Sequence, residues 1–286
     1  MQSLPVELIL AIFGYLQDDL ESLFSCSLVC HEWVHPARQY LFAVMNTTMP
    51  PRLRSKPDSL PQSIVSLVNG ASIRVGYIKK LQIEDDVDVP CPPVTLQSSV
   101  IYQLIEKLPR LQSLQFVDVP IAPTEFVDGL LDGLSIKSLE INNRAGTVWY
   151  PVTSAATVLP LFSVIETLSI ITEYPAYWAP YDGIQRLQIQ RLHDVRIGHL
   201  RLDVTLPQFR LLQDLIDIRS SVGTISLRPH LTLWSDVPEF GPMIRDISSK
   251  VVSLTLSHWY AYCRFIKANS TCEFTIFLCI CISSVH

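Results

Sequence analysis

Ile136-Lys137-Ser138-Leu139-Glu140-Ile141 sets an apolar residue three positions before an apolar–polar–apolar alternation. Successive side chains of a strand point to opposite faces, so Leu139-Glu140-Ile141 reads as a short strand with one face buried. The theme stands upstream at Ile78-Lys79-Lys80-Leu81-Gln82-Ile83 and Leu111-Gln112-Ser113-Leu114-Gln115-Phe116. Downstream it recurs at Ile165-Glu166-Thr167-Leu168-Ser169-Ile170, Ile184-Gln185-Arg186-Leu187-Gln188-Ile189 and Val251-Val252-Ser253-Leu254-Thr255-Leu256. Counted Leu to Leu, the steps are 33, 25, 29, 19 and 67 residues. The last gap has room for degenerate units, with Leu212-Gln213-Asp214-Leu215 and Thr224-Ile225-Ser226-Leu227 as candidates. No such strand buries its apolar face alone, so the units are expected to stack in parallel around a shared core.

The segments between should form the outer layer. Thr95 to Leu108 reads as a helix, with Val100, Ile101, Leu104, Ile105 and Leu108 at helical spacing and Pro109 as its stop. Thr124 to Leu134 and Thr153 to Phe162 offer shorter apolar helices, the second closed by Pro160. The fold class is therefore α/β, and the mean of the first four steps lies near the roughly 20–29-residue period of leucine-rich repeats. The repeats are irregular. They lack the Asn or Cys ladder such repeats place after the strand, although Asn142-Asn143 falls suitably in one unit. A non-repetitive α/β or β-rich domain is the alternative. Within residues 191–246, His193 to Leu206 and Thr224 to Val237 read as strands and loops without a clear helix, and the tail around Thr275 to Ile282 as a very apolar last strand.

The chain of 286 residues is 48% hydrophobic and only 17% charged, which gives it much to bury and argues against disorder. A net charge of −5 points away from nucleic acid as the main partner. Seven scattered cysteines without a secretory signal imply thiols in a reducing compartment, cytoplasmic or nuclear. No run is long enough to span a bilayer.

The first 45 residues form a separate unit. Leu8, Ile9, Ile12, Phe13 and Leu16 make one helical stripe, Leu20, Leu23, Phe24, Ser27 and Leu28 a second, and Val29, Trp33, Ala37 and Leu41 a third. Asp18 or Asp19 caps the second helix, and Pro36 starts or kinks the third. Three short helices cannot bury so many large apolar groups among themselves, so the surplus goes onto the rest of the chain or onto a partner. From Asn46 the balance turns basic and proline-containing. Residues 46–72 are expected to be a linker, and residues 73–286 the second domain.

Leu4, Pro5, Glu7, Leu8, Ile12, Phe13, Leu16, Cys26, Val29, Cys30 and Trp33 together resemble the F-box family. Its pattern opens Leu-Pro-x-Glu-Leu, continues with Ile-Phe and a later Leu, and closes with Cys-x-x-Val-Cys, a basic residue and Trp. His31 stands where the family most often has Arg or Lys, and Ala37 to Phe42 resembles the end of fungal F-box segments. The resemblance implies docking on the Skp1-type adaptor of a cullin-RING ubiquitin ligase, through Leu4, Pro5, Leu8, Ile12, Phe13, Leu28, Val29 and Trp33. Glu7 is then a helix cap or rim contact, and part of the apolar set is internal core. The second domain would select a protein substrate. The chain itself would do no chemistry and need no cofactor, acting by apposition. A scaffold outside ubiquitination is the alternative. An enzyme in the second domain would need a clustered polar pocket.

Other constellations carry less. Cys26, Cys30, His31 and His35 fall within ten helical residues, too close to surround one ion, and the two cysteines read as small buried thiols of a helical core rather than a metal site. No nucleophile elbow, dinucleotide fingerprint or phosphate-binding loop is present. Trp149 and Tyr150, and then Tyr174, Tyr177, Trp178 and Tyr181, follow two of the expected strands by a few residues. Aromatics in strand-following loops are candidate substrate contacts, and equally a roof over the repeat core.

Overall fold

Leu81, Leu114, Leu139, Leu168, Leu200 and Ile225 stand in one row across six hydrogen-bonded strands, each beside the next. A second row, two residues on, runs Ile83, Phe116, Ile141, Ile170, Leu202 and Leu227. All twelve side chains are buried. The computed structural model that shows this describes residues 4–49, 73–85, 95–122, 134–144, 151–172, 195–231, 242, 245, 247–254, 256–258 and 273–274.

Three helices come first, α1 (Val6–Tyr15), α2 (Leu20–Ser27) and α3 (His31–Leu41). The main strands are β1 (Val44–Met49), β2 (Lys80–Asp85), β4 (Ser113–Val117), β6 (Leu134–Asn143), β7 (Phe162–Thr172), β8 (Arg196–Thr205) and β9 (Val222–Leu231). They lie side by side in chain order, and every one of these pairings is parallel. β10 (Val251–Leu254) and β11 (Leu256–His258) both join β9, and β12 (Glu273–Phe274) closes the sheet antiparallel to β11. Two short strands, β3 (Leu96–Gln97) and β5 (Ile121–Ala122), pair apart from it.

Helices α4 (Ser98–Lys107), α5 (Pro151–Val158) and α6 (Leu206–Leu215) join the two apolar rows in a single core. Ile101 and Leu104 of α4, Val152 and Ala155 of α5, and Phe209 and Leu212 of α6 are their buried faces. Each follows a strand and returns the chain to the start of the next, the connection parallel strands require. Hydrogen bonds fix the layers together. The Ile121 amide donates to Ser154 Oγ at 3.1 Å. Gln208 Oε1 accepts from the Thr205 amide at 2.9 Å, bracing the start of α6, and from Thr172 Oγ1 at 3.4 Å. The opposite face of the sheet carries the other parity of each strand, such as Gln82, Gln115, Glu140, Ser169 and Arg201 in one row. Gln115 Nε2 donates to Glu140 Oε1 across two strands at 2.8 Å.

Strand entry has its own repeated geometry. Ala43 O accepts the amides of both Lys79 and Lys80, Lys79 O those of Gln112 and Ser113, and Gln112 O those of Lys137 and Ser138, all between 2.7 and 3.0 Å. Two donors on one carbonyl make a local bulge, stacked strand upon strand. Strand exit is also repeated. Two residues after the second apolar position stand Asp85, Asp118, Asn143 and Thr172, all buried.

Several expectations are corrected. The residues at strand exit are not an Asn or Cys ladder but a mixed polar row, two Asp, one Asn and one Thr among the described residues. Residues 46–49 are not linker but part of β1, whose Met45 and Thr47 extend the two rows beside Leu81 and Ile83. The neighbour of β7 is β8, not the Leu187 unit, which lies outside the described residues. Leu212 to Leu215 is helix rather than a degenerate strand, the end of α6. Thr224 to Leu227 is strand, as its pattern implies. Leu254 pairs with Leu227, in the second row rather than the first, and it is Val251 that stands beside Ile225; the β9–β10 register shifts between Val251 and Ser253. Residues 124–133 and 275–282 lie outside the described residues.

Candidate functional site

The N-terminal helices have a small core of their own. Ile9 and Phe13 are one turn apart on α1, Leu23 lies on α2, and Ala37 on α3; these four are the buried residues of the cluster. Trp33 is half-buried and meets Phe13 edge-on, with ring centroids 5.7 Å apart at 81°. α1 and α2 both pack on α3. Tyr40 of α3 donates its hydroxyl to Leu10 O at 3.0 Å, tying α1 down. Pro36 sits inside α3, which runs through it unbroken.

Asp19 caps α2. Its Oδ1 accepts the Ser22 amide at 3.0 Å and its Oδ2 the Ser22 hydroxyl at 2.6 Å. The hydroxyl first, and the amide second, hold the Asp19 pKa below its ordinary value. Val6 is the first helical residue of α1, with Pro5 in the capping position before it.

So small a core leaves most of the apolar surface outside. Leu8 and Ile12, one turn apart, are 52% and 46% exposed, on the helix face next to the inward Ile9 and Phe13. Leu4, Pro5, Leu28 and Val29 are exposed as well. Of the eight residues implied as docking contacts, six are therefore on the surface, Trp33 is half-buried, and Phe13 is 1% exposed and internal. Val6, Tyr15, Leu20 and Phe24 are also exposed. Leu20 and Phe24 share a stripe with Leu23, but only Leu23 reaches the core, a distinction that spacing over two helical turns does not make. Isolated apolar residues on a surface are ordinary; here they form rows on α1, α2 and the turn before α3.

The unit is joined closely to the sheet. Only Phe42 and Ala43 separate α3 from β1. Ala43 O holds the amides of Lys79 and Lys80 at 2.8 and 2.9 Å. His35 Nδ1 and Tyr77 Oη lie 2.7 Å apart, and Lys79 Nζ lies 6.0 Å from the Tyr40 ring centroid.

Cys26 and Cys30 are free thiols but not the buried ones expected: Cys26 is half-buried against the small core, and Cys30, at the turn into α3, is exposed. Among the described residues no group of three or more His, Cys, Asp or Glu could hold a metal ion, and no helix is long and apolar enough to cross a membrane. Trp149, Tyr150, Tyr174, Tyr177, Trp178 and Tyr181 lie outside the described residues.

Residues 1–42 match the F-box-like family. No curated protein and no solved structure matches the chain. The chain thus carries an F-box-like domain at its N-terminal end, which supports a general role in docking on a Skp1-type adaptor.

Proposed function

We propose that the chain is the substrate-recognition subunit of a Skp1–cullin–F-box ubiquitin ligase, acting inside the cell. The observation that carries this reading is the exposed apolar row of Leu4, Leu8 and Ile12, with Leu28 and Val29, on an F-box-like unit. Burying those side chains against an adaptor is worth about 25 cal/mol per Å² of apolar area removed from water. Phe13 and Trp33 act from behind, holding α1 and α3 so that the row is presented.

The second domain we read as an irregular leucine-rich-repeat-like solenoid. Chain-order parallel strands, helices against one face and the buried polar residues at strand exit favour it. Its task is to hold a protein substrate, with Trp149, Tyr150, Tyr174, Tyr177, Trp178 and Tyr181 as proposed contacts. Apposition then does the work: substrate lysines are kept at high effective concentration near a charged ubiquitin-conjugating enzyme. The close join between α3 and β1 favours such a role, because a loose tether would dilute that concentration.

The test is the double substitution Leu8→Asp with Ile12→Asp in the full chain. Adaptor capture should be lost while the circular dichroism spectrum is kept. Unchanged capture overturns the docking assignment. Co-expression with the adaptor and affinity capture under proteasome inhibition then tests substrate presentation. A captured protein whose abundance does not respond to loss of the chain favours a scaffold instead.

A further inference from the structure

A cleft of about 580 Å³ opens at the strand-entry edge of the sheet, close to α3. One wall is the turn carrying Arg110, after α4; Lys79 stands beside it, and the first residues of β6 and β7 form the rest. Its charge is opposite to that of the chain. Lys79, Arg110 and Lys137 line it against one carboxylate, Glu166, in a protein of net charge −5. Among the described residues neither Arg110 nor Lys137 has an ion-pair partner within the protein.

The bulges at strand entry set the spacing of these cations. Lys79, Gln112 and Lys137 are the bulge residues of three consecutive strands. Two strand spacings therefore separate Lys79 from Lys137 along the sheet, roughly 10 Å. An extended peptide covers that span in about three residues, at roughly 3.3 Å per residue, so carboxylates at every second residue, all on one face, reach the cations at both ends. Arg110, between them on the turn, offers a planar fork suited to a further carboxylate. Apolar surface adjoins the charges, since Val164 is 40% exposed and also lines the cleft. A bare inorganic anion has no use for that surface. A nucleic acid would meet Glu166 and, among the described residues, no aromatic lining.

We propose that this cleft binds an acidic segment of a partner protein, laid across the entry ends of β2, β4, β6 and β7. The site lies apart from the exposed row on α1, and it does not rest on adaptor docking. It adds a second recognition edge, near the F-box-like unit.

The test uses the full chain and a short fluorescent peptide alternating Glu and Ala, with a Gln–Ala peptide as control, read by anisotropy. The acidic peptide should bind, more weakly as salt rises, and the control should not. Arg110→Gln with Lys137→Gln should weaken binding by about tenfold or more. Arg110→Lys should retain part of it, and Arg219→Gln, on the short helix Ile218–Ser221 before β9 and not among the cleft's lining residues, should change nothing. Circular dichroism should be the same for all variants. Equal binding of the Gln–Ala peptide overturns the proposal, as does a double variant that binds like the parent. Displacement by inorganic phosphate as effective as by unlabelled peptide would make this a small-anion site and overturn it. Tighter binding of a short oligothymidylate would do the same in favour of nucleic acid.

Discussion

Gly198 packs directly against the backbone of Glu166: a Cβ at Gly198 would lie 2.7 Å from the Glu166 carbonyl oxygen. Gly223 repeats the relationship one strand further on, 2.6 Å from Gly198 O. Both lie in the strand-entry row that begins with Lys79, Gln112 and Lys137. The obstructing atoms are backbone held in the sheet, so they cannot swing aside. Gly198→Ala should therefore destabilise the domain by about 1–3 kcal/mol. Gly76, where a Cβ meets nothing within 4 Å, is the control, and Gly76→Ala should be nearly neutral. Urea unfolding followed by circular dichroism reads both. A Gly198→Ala midpoint equal to the parent's would contradict this packing of β7 on β8.

Phe13 and Phe24 separate stability from docking. Phe13 is internal to the helical unit, whereas Phe24 is 57% exposed. Phe13→Ala should cost about 3–5 kcal/mol, enough to unfold so small a unit and lose adaptor capture with it. Phe24→Ala, alone or with Leu20→Ala, should shift unfolding by less than about 0.5 kcal/mol. It should still weaken capture if that row belongs to the contact surface. Comparing melting curves with pull-down yield distinguishes the two. Capture unaffected by Phe24→Ala and Leu20→Ala would confine docking to α1 and the α2–α3 turn.

The parts of the fold legible in the sequence are those where one physical signal acts alone. Leu81, Leu114, Leu139 and Leu168 stand out because alternation is enforced wherever one sheet face is buried. Ile197-Gly198-His199-Leu200-Arg201-Leu202 has the same spacing and forms the next strand, yet Ile184 to Ile189 competes with it in the sequence. Only pairing decides between them. β1 is harder still. Val44-Met45-Asn46-Thr47 puts Thr47 in an apolar row, and an acidic-to-basic change runs across it. Helix α6 is obscured by Pro207 in its first turn and by Leu212 and Leu215, which also fit a strand unit. In the N-terminal unit the helices follow from their stripes. Which residues face outward does not, because Leu8 and Ile9 are adjacent and equally apolar, and only packing on α3 sends Ile9 inward.

Acid should loosen α2 before it unfolds the sheet. The Ser22 hydroxyl and amide lower the Asp19 pKa from its ordinary 3.8. A lowered folded-state pKa means the cap stabilises above the unfolded value and is lost as pH falls through the folded one. The Ser22 amide resonance should therefore titrate with a midpoint below 3.8. Asp19→Asn keeps an acceptor but no titrating charge, so the transition at Ser22 should vanish while α2 persists. A midpoint above the ordinary value would mean that the cap does not form in solution.

Asp118 offers a sharper separation of backbone from side-chain effects. It follows β4 in a left-handed conformation, at φ 56°, and its Oδ1 accepts the Arg144 amide at 2.8 Å after β6. Its own amide donates to Asn142 O at 2.8 Å. One buried residue therefore joins two strand exits, and Arg144 in turn reaches Glu84 after two more strands, at 3.1 Å. Asp118→Ala removes the acceptor and leaves the Arg144 amide unpaired, a loss of about 1–3 kcal/mol. It also places an alanine at positive φ, which adds to the cost. Asp118→Gly relieves the backbone and keeps the lost acceptor, so it should be destabilised less than Asp118→Ala. Asp118→Asn keeps both an acceptor oxygen and tolerance of the left-handed region, and should be the mildest of the three. Urea midpoints in the order Asn, Gly, Ala would assign separate weights to the hydrogen bond and to the backbone. Equal losses in all three would show that the carboxylate charge, not its geometry, is what the strand exits require.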